Sequence, residues 1–208
     1  MFITLEGGEG AGKSTQIASL AAFLRGLDLD VLETREPGGA PGAEAIRALL
    51  VSGDTGRWTP MTEALLHSAA RADHLARSVR PALAEGKWVV CDRFTDSTLA
   101  YQGYGHGLGV ERINALNELV TEGLRPDLTL ILDLPVEAGL RRAGTRPGAE
   151  DRYERMGRDF HERLREGFLA IARAEPNRCA VIDAAADVET VAGAIARAVN
   201  ERLIAGET

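Results

Sequence analysis

Phe2-Ile3-Thr4-Leu5-Glu6-Gly7-Gly8-Glu9-Gly10-Ala11-Gly12-Lys13-Ser14-Thr15 opens the chain, and its reading decides the fold. The first four residues form a short apolar run, as in a strand buried on both faces. Residues 7–14 then satisfy G-x-x-x-x-G-K-[ST], and Ile17, Leu20, Ala21 and Leu24 recur behind them at helical spacing. Strand, glycine loop and helix are the context in which that pattern has a mechanism. Gly7, Gly8, Gly10 and Gly12 let the loop curl so that the backbone N–H groups around Glu9 and Ala11 point inward. The next helix offers its positive end, and Lys13 adds a full charge for the outer phosphates. Ser14, with Thr15 beside it, stands where the pattern supplies a hydroxyl ligand for Mg²⁺. Residues 7–15 therefore predict nucleoside triphosphate binding. They leave the fate of the phosphate open, because motors, GTPases, kinases and partitioning ATPases share this loop.

Outward from the loop, apolar runs at Asp30–Glu33, Trp88–Cys91, Leu128–Leu132 and Cys179–Ile182 read as four more strands. Helical stretches separate them, the last marked by Val188, Val191, Ile195, Val199 and Leu203. Strands alternating with helices predict an α/β, three-layer fold of the P-loop NTPase type, with a five-stranded parallel sheet flanked by helices. Pro60–Glu85 reads as one long helix, and the glycine-rich Tyr101–Gly109 as a loop. No linker or repeat divides residues 1–208, which are expected to form one domain. Arginines crowd a Pro-Gly break in residues 141–158, a solvated charged surface or a small lid over phosphates.

The chain has 208 residues, 45% of them hydrophobic, and a net charge of −7 from 24 basic and 31 acidic side chains. That balance argues against a surface built to hold nucleic acid or an anionic membrane. No apolar run approaches a membrane span and no basic leader precedes one, so a cytoplasmic protein is expected. Cys91 and Cys179 sit inside apolar runs and read as buried, reduced thiols.

Among users of the cradle, GTPases need a guanine-reading N-K-x-D, and the only lysines, Lys13 and Lys87, lie in GKS and GKW. Arginines in several separate loops instead suggest a kinase of a small phosphorylated substrate, where two sets of phosphates face each other and their repulsion must be neutralised. The third strand runs into Asp92-Arg93, placing a carboxylate and a guanidinium at the carboxyl edge of the sheet, where ligands bind in open α/β folds. Asp92 is a candidate for Mg²⁺ through water. Arg93 is a candidate bridge between donor and acceptor phosphates.

GGEGAGKST, Arg35-Glu36-Pro37-Gly38-Gly39, Leu65-Leu66-His67-Ser68-Ala69-Ala70-Arg71, the string Asp92-Arg93-Phe94-Thr95-Asp96-Ser97-Thr98-Leu99-Ala100-Tyr101-Gln102-Gly103, and Arg125-Pro126-Asp127-Leu128-Thr129 occur in that order. Together they resemble the bacterial thymidylate kinases, nucleoside monophosphate kinases with a P-loop. The resemblance runs from residue 2 to about residue 183. It implies transfer of the γ-phosphoryl group of ATP to dTMP with Mg²⁺, directly and in line. The small-molecule substrates would be ATP and dTMP, and the family is typically a homodimer packed through long helices, here Pro60–Glu85 and Val110–Gly123. A kinase of another nucleoside monophosphate and a nucleotide-dependent binding switch are the alternatives.

By the same resemblance Glu9 faces the acceptor's sugar and phosphate and, with Tyr101, crowds the ribose 2′ position. Arg71 reads a thymine carbonyl, while Ser97, Thr98 and Gln102 line the other side of the base. Arg35 and Arg93 hold the acceptor phosphate, Glu36 orients the following loop, and Pro37 is expected to follow a cis peptide. His67 stands where the family usually has Phe, and a neutral imidazole can also stack on the base. Gly10 follows the cradle's acid where one branch of the family has a basic residue, so the catalytic arginine is expected from the lid. Arg152, in Asp151-Arg152-Tyr153-Glu154, is the first candidate and Arg146 the second, with Arg142 beside the adenine.

Overall fold

The computed structural model describes residues 1–144 and 152–205. Strands β1 (Phe2–Glu6), β2 (Val31–Arg35), β3 (Trp88–Asp92), β4 (Leu128–Asp133) and β5 (Cys179–Asp183) make one parallel sheet in the order β2-β3-β1-β4-β5. All five expected strands are present, and each runs on to a charged residue: Glu6, Arg35, Asp92, Asp133 or Asp183. The apolar runs mark only the stretch covered on both faces. Charged side chains can end a strand at the sheet's carboxyl edge, where partners and solvent are in reach. Pairing sets Leu5 beside Asp92 and Arg35 beside Asp92, so three strand ends converge on one place.

Helix α1 (Lys13–Arg25) follows the glycine loop, and α2 (Pro41–Leu50) follows β2. The stretch read as one long helix is α3 (Pro60–His74), a π-type turn over Leu75–Val79, and α4 (Arg80–Ala84). Pro81 accounts for the widened turn, because it has no N–H to give and its ring crowds the carbonyl four residues back. Helix α5 (Thr95–Thr98) continues through a second π-type stretch, Leu99–Gly105. That corrects the loop expected over residues 101–109 as far as Gly105. Its glycines serve close packing: a Cβ on Gly105 would lie 2.6 Å from the Phe160 ring. Helices α6 (Val110–Thr121), α7 (Val136–Ala143), α8 (Arg158–Ala174) and α9 (Val188–Val199), with a third π-type stretch over Asn200–Ile204, complete the described elements.

On one side Leu20, Leu24, Ile195 and Val199 of α1 and α9 pack on Ile3, Leu5 and Leu130. On the other, Phe160, Leu164 and Phe168 of α8 meet Tyr101 and Ile131. Phe2, Val89 and Phe94 pack with Leu75 and Val79. Cys91 and Cys179 are buried free thiols, as their apolar settings suggested. Among the described residues, no helix is long and apolar enough to cross a membrane.

Helix α7 presses on the glycine loop. A Cβ on Gly10 would lie 2.0 Å from the Gly139 carbonyl oxygen, and one on Gly139 would lie 2.5 Å from that of Glu9. Gly139→Ala should therefore lower stability by about 1–3 kcal/mol, the usual range for overpacking. An unchanged urea midpoint would show instead that α7 yields freely.

Candidate active site

The cradle forms because Gly7, Gly10 and Gly12 take positive φ angles of 134°, 70° and 86°, which L side chains rarely adopt. Lys13 reaches back across it, donating to the carbonyls of Gly7 (3.1 Å) and Gly8 (2.9 Å). Burial and then repulsion from Arg93 lower its ammonium to about 8, so the loop is short of negative charge. Ser14 Oγ stands 3.4 Å from Asp92 Oδ2, and Asp92 Oδ1 is buried without a partner among the described residues. An unpartnered oxygen beside a hydroxyl fits a hard divalent cation that keeps its water and rests mainly on phosphate oxygens.

Arg93 is the centre of the arrangement. It takes φ 67° at the turn leaving β3. Its backbone N–H donates to Leu5 O at 3.0 Å, and the next one, on Phe94, donates to Glu6 Oε1 at 2.7 Å. The guanidinium then reaches Gly7 O (3.0 Å), Ser97 Oγ (3.2 Å) and Glu9 Oε1 (3.1 Å), and stacks on Tyr101 with 5.0 Å to the ring centre. Burial works against its charge, but Tyr101, Glu9 and Asp92 outweigh it and hold the proton more firmly than on an ordinary arginine. Glu9 feels burial too; Arg93, Lys13 and the Tyr101 hydroxyl, 2.5 Å away, keep it below the usual carboxylate range.

Beside the cradle lies a cavity of about 120 Å³ lined by Glu9, Glu36, Pro37, Arg47, His67, Arg71, Arg93, Ser97, Thr98, Tyr101, Gln102, Tyr153 and Glu154, among others. Arg71, 2% exposed, donates to Glu36 (2.7 Å), Asn117 (3.1 Å), Phe94 O (2.9 Å) and Thr98 (3.0 Å). Four of its five N–H groups are thus used and one is left for a ligand. Gln102 Nε2 donates to Glu63 at 2.7 Å, while its Oε1 is buried without a partner among the described residues. His67 Nε2 meets Tyr153 Oη at 2.8 Å. Burial, and then the cations Arg71 and Arg93, bring its imidazole down to about 4, so it lines the cavity uncharged.

Most residues expected at the site are brought together in these two neighbouring spaces, and the Glu36–Pro37 peptide is cis. Two are elsewhere. Arg35 pairs on the surface with Glu44 at 3.1 Å, outside this cavity; Arg47, which donates to Pro37 O at 2.8 Å, lines it instead. Arg35 ends β2 with its side chain on the solvent side, whereas Arg47 of α2 borders the cavity.

Arg152 corrects the lid expectation. It is wholly buried, donating to the carbonyls of Leu50 (3.2 Å), Asp54 (3.1 Å) and Thr55 (3.0 Å) and pairing with Glu63 at 2.5 Å. Those contacts tie the returning chain to the α2–α3 connection and leave no fork for a phosphate. Arg146 and Asp151 lie outside the described residues. Arg142 donates to Ala184 O at 3.0 Å, at the carboxyl end of β5.

Glu6, Arg47, Glu63 and Tyr153 were not singled out from the sequence. Glu6 accepts from Phe94 N and from Ser97 Oγ at 2.5 Å, and burial, then Asp96, push its carboxyl up to about 7. Its only sequence signal is an acid at the end of an apolar strand. Arg47, Glu63 and Tyr153 carry no such signal.

Two spaces thus share Arg93 and Glu9, one formed by the glycine loop and the other rimmed by polar side chains. A family model for thymidylate kinase matches residues 5–195. The chain belongs to the thymidylate kinase family. It is 59% identical over 202 residues to the thymidylate kinase of Caulobacter vibrioides, covering 97% of each chain. With that of Rhizorhabdus wittichii it shares 51% identity over 203 residues, covering 97% of this chain and 98% of the other. The crystal structure of thymidylate kinase from Ehrlichia chaffeensis superposes with a TM-score of 0.79 at 34% identity, covering 96% of this chain and 98% of that one. The family's fold is thus present along the described chain.

Arg152→Ala leaves Glu63 as a buried, less compensated charge. It should lower stability by about 3–5 kcal/mol, the usual result of breaking a buried pair. Urea denaturation reads this directly, and a shift below about 1 kcal/mol, the scale of an exposed pair, would return Arg152 to a role outside the fold.

Proposed function

We propose that this chain transfers the γ-phosphoryl group of ATP to dTMP, giving ADP and dTDP. The observation that carries the reading is Arg93, which touches Gly7 of the cradle and lines the neighbouring acceptor cavity. One cation there can meet both sets of phosphates and neutralise the repulsion that otherwise keeps them apart. ATP occupies residues 7–15, with its outer phosphates drawing Lys13 away from the Gly7 and Gly8 carbonyls and its adenine beside Arg142. The acceptor phosphate rests on Arg93 and Arg47. Arg71 donates its spare N–H to a thymine carbonyl, and Gln102 Oε1 accepts the ring N–H. Ser97 and Thr98 hold Arg93 and Arg71 in place, and neutral His67 flanks the base.

Tyr101 and Glu9 close the sugar end. A 2′ hydroxyl pressed against that occupied pair loses its water without gaining a partner, which disfavours ribose. Transfer is direct: the acceptor oxygen attacks as the bridging oxygen of ATP leaves, and no side chain is phosphorylated. Lys13 and Arg93 stabilise the charge spread over the moving group. Ser14 and, through water, Asp92 would hold Mg²⁺, which would supply further charge neutralisation on the phosphates. With Arg152 committed to Glu63, the second candidate, Arg146, becomes the catalytic arginine of this reading. The reading also makes this a cytoplasmic homodimer, and exposed Leu65 of α3 and Leu119 of α6 are apolar surface for such a pairing to cover.

Purified protein given ATP, Mg²⁺ and each of dTMP, dUMP, dCMP, UMP and AMP should make dTDP fastest. Faster phosphorylation of dCMP, UMP or AMP would move the acceptor to another base. Slow ATP turnover that no monophosphate accelerates would make the chain a nucleotide-dependent switch.

A further inference from the structure

Glu63 sits in the first turn of α3, 1% exposed, and takes no part in the chemistry described above. Its two oxygens face different partners. Oε2 pairs with Arg152 Nη2 at 2.5 Å, and Oε1 accepts from Gln102 Nε2 at 2.7 Å, with His106 Nε2 3.2 Å from the same oxygen. An ionised carboxylate only accepts. Facing it, the Gln102 amide must therefore turn its nitrogen inward and its oxygen away, and that oxygen, Oε1, is the buried atom with no partner among the described residues. Turning the amide over would set two acceptors against each other and strand an N–H in the cavity instead.

We infer that Glu63 is a specificity-determining positioning residue: by orienting the Gln102 amide, it makes the acceptor cavity present an acceptor, not a donor, to the pyrimidine ring nitrogen. The consequence follows from base chemistry. Thymine carries N3–H, a donor, where cytosine carries a bare N3, an acceptor, so an oriented Oε1 binds the first and repels the second. This selection is additional to that of Arg71 at the exocyclic position. The charge state of Glu63 suits this role. Burial opposes its charge, but the His106 hydrogen bond and the Arg152 guanidinium outweigh it and hold the carboxyl down at about 2, so it is ionised near neutral pH. Arg152 thereby keeps Glu63 a pure acceptor as well as tying down the returning chain.

The inference rests on the thymidylate reading, and its test separates the two. The quantity measured is the ratio of kcat/KM for dTMP to that for dCMP, taken on a single preparation of each protein. Because both substrates meet the same molecules, a loss of folded or active enzyme cancels from the ratio. In Glu63→Gln, residue 63 can present either an oxygen or an N–H, so Gln102 is free to turn over. The ratio should then fall about tenfold or more relative to the unsubstituted protein, the scale of one lost base-edge contact. The exchange variant E63Q/Q102E restores an acceptor-only group at position 102 and should recover most of the lost discrimination. If Glu63→Gln does not fold, Glu63→Asp keeps the charge for Arg152 but withdraws the carboxylate from Gln102, and the ratio should fall in the same direction. A ratio unchanged within about twofold in the folded variant, while Gln102→Leu lowers it, would overturn the role of Glu63 and leave the thymidylate reading intact. Unsubstituted protein that does not prefer dTMP to dCMP would overturn both.

Discussion

Arg93 holds a left-handed backbone, φ 67°, at the turn where the chain leaves β3, a conformation that costs a non-glycine residue about 1–3 kcal/mol. Neighbours on both sides enforce it. Leu5 O takes its N–H and the buried Glu6 carboxyl group takes that of Phe94, so β1 clamps the turn that follows β3. The clamp aims the guanidinium across the sheet's edge, onto Gly7 of the cradle and Glu9, while Asp92 one residue earlier faces Ser14. Strand order makes this possible. With β1 between β3 and β4, the cradle after β1 and the Asp92-Arg93 turn after β3 are adjacent. The site is an array of buried charges in which Lys13 is left short of negative charge, the condition under which a polyphosphate binds strongly.

The same charge logic shapes the acceptor side. Arg71 is held between Glu36 and backbone or hydroxyl oxygens and Arg152 between Glu63 and three carbonyls, so each buried cation is compensated by the fold before any substrate arrives. Buried pairs of this kind contribute little net stability but fix geometry. Open directions among the described groups include one Arg71 N–H, Gln102 Oε1, the Arg93 N–H groups that Gly7, Ser97 and Glu9 do not take and, beside the cradle, Asp92 Oδ1. These are the atoms a nucleotide and its cation would complete.

Much of this was legible in the sequence because local rules decide it. The glycine pattern of residues 7–14, the apolar runs and the Asp92-Arg93 strand end are contiguous, and each carries its own physical reason. Even the excess of acids misleads only about the surface, since positive charge is concentrated where Lys13, Arg47, Arg71 and Arg93 meet. What stayed hidden depends on distant partners. Tyr101–Gly109 looks like a loop until Gly105 against Phe160 and Tyr104 against Gly167 show helices in close approach. Arg152 resembles a mobile phosphate ligand until Glu63, far earlier in the chain, comes into contact with it. Arg35 and Arg47 are both plausible phosphate ligands, and only the path of α2 makes Arg47 the one that lines the cavity. Glu63 has no neighbours in sequence that betray a role; its importance comes from Gln102, His106 and Arg152 converging on it.

If the forked guanidinium of Arg93 joins the two phosphate sites, turnover of Arg93→Lys tests that union most directly. Lysine keeps the charge but cannot span Gly7, Ser97 and Glu9 at once. The expected kcat is about 100-fold or more below that of the unsubstituted protein, the scale for losing a preorganised charge-stabilising donor, with ATP affinity changed far less. A kcat within about threefold of the original would show that any cation at position 93 suffices, and would contradict the bridging role given to Arg93.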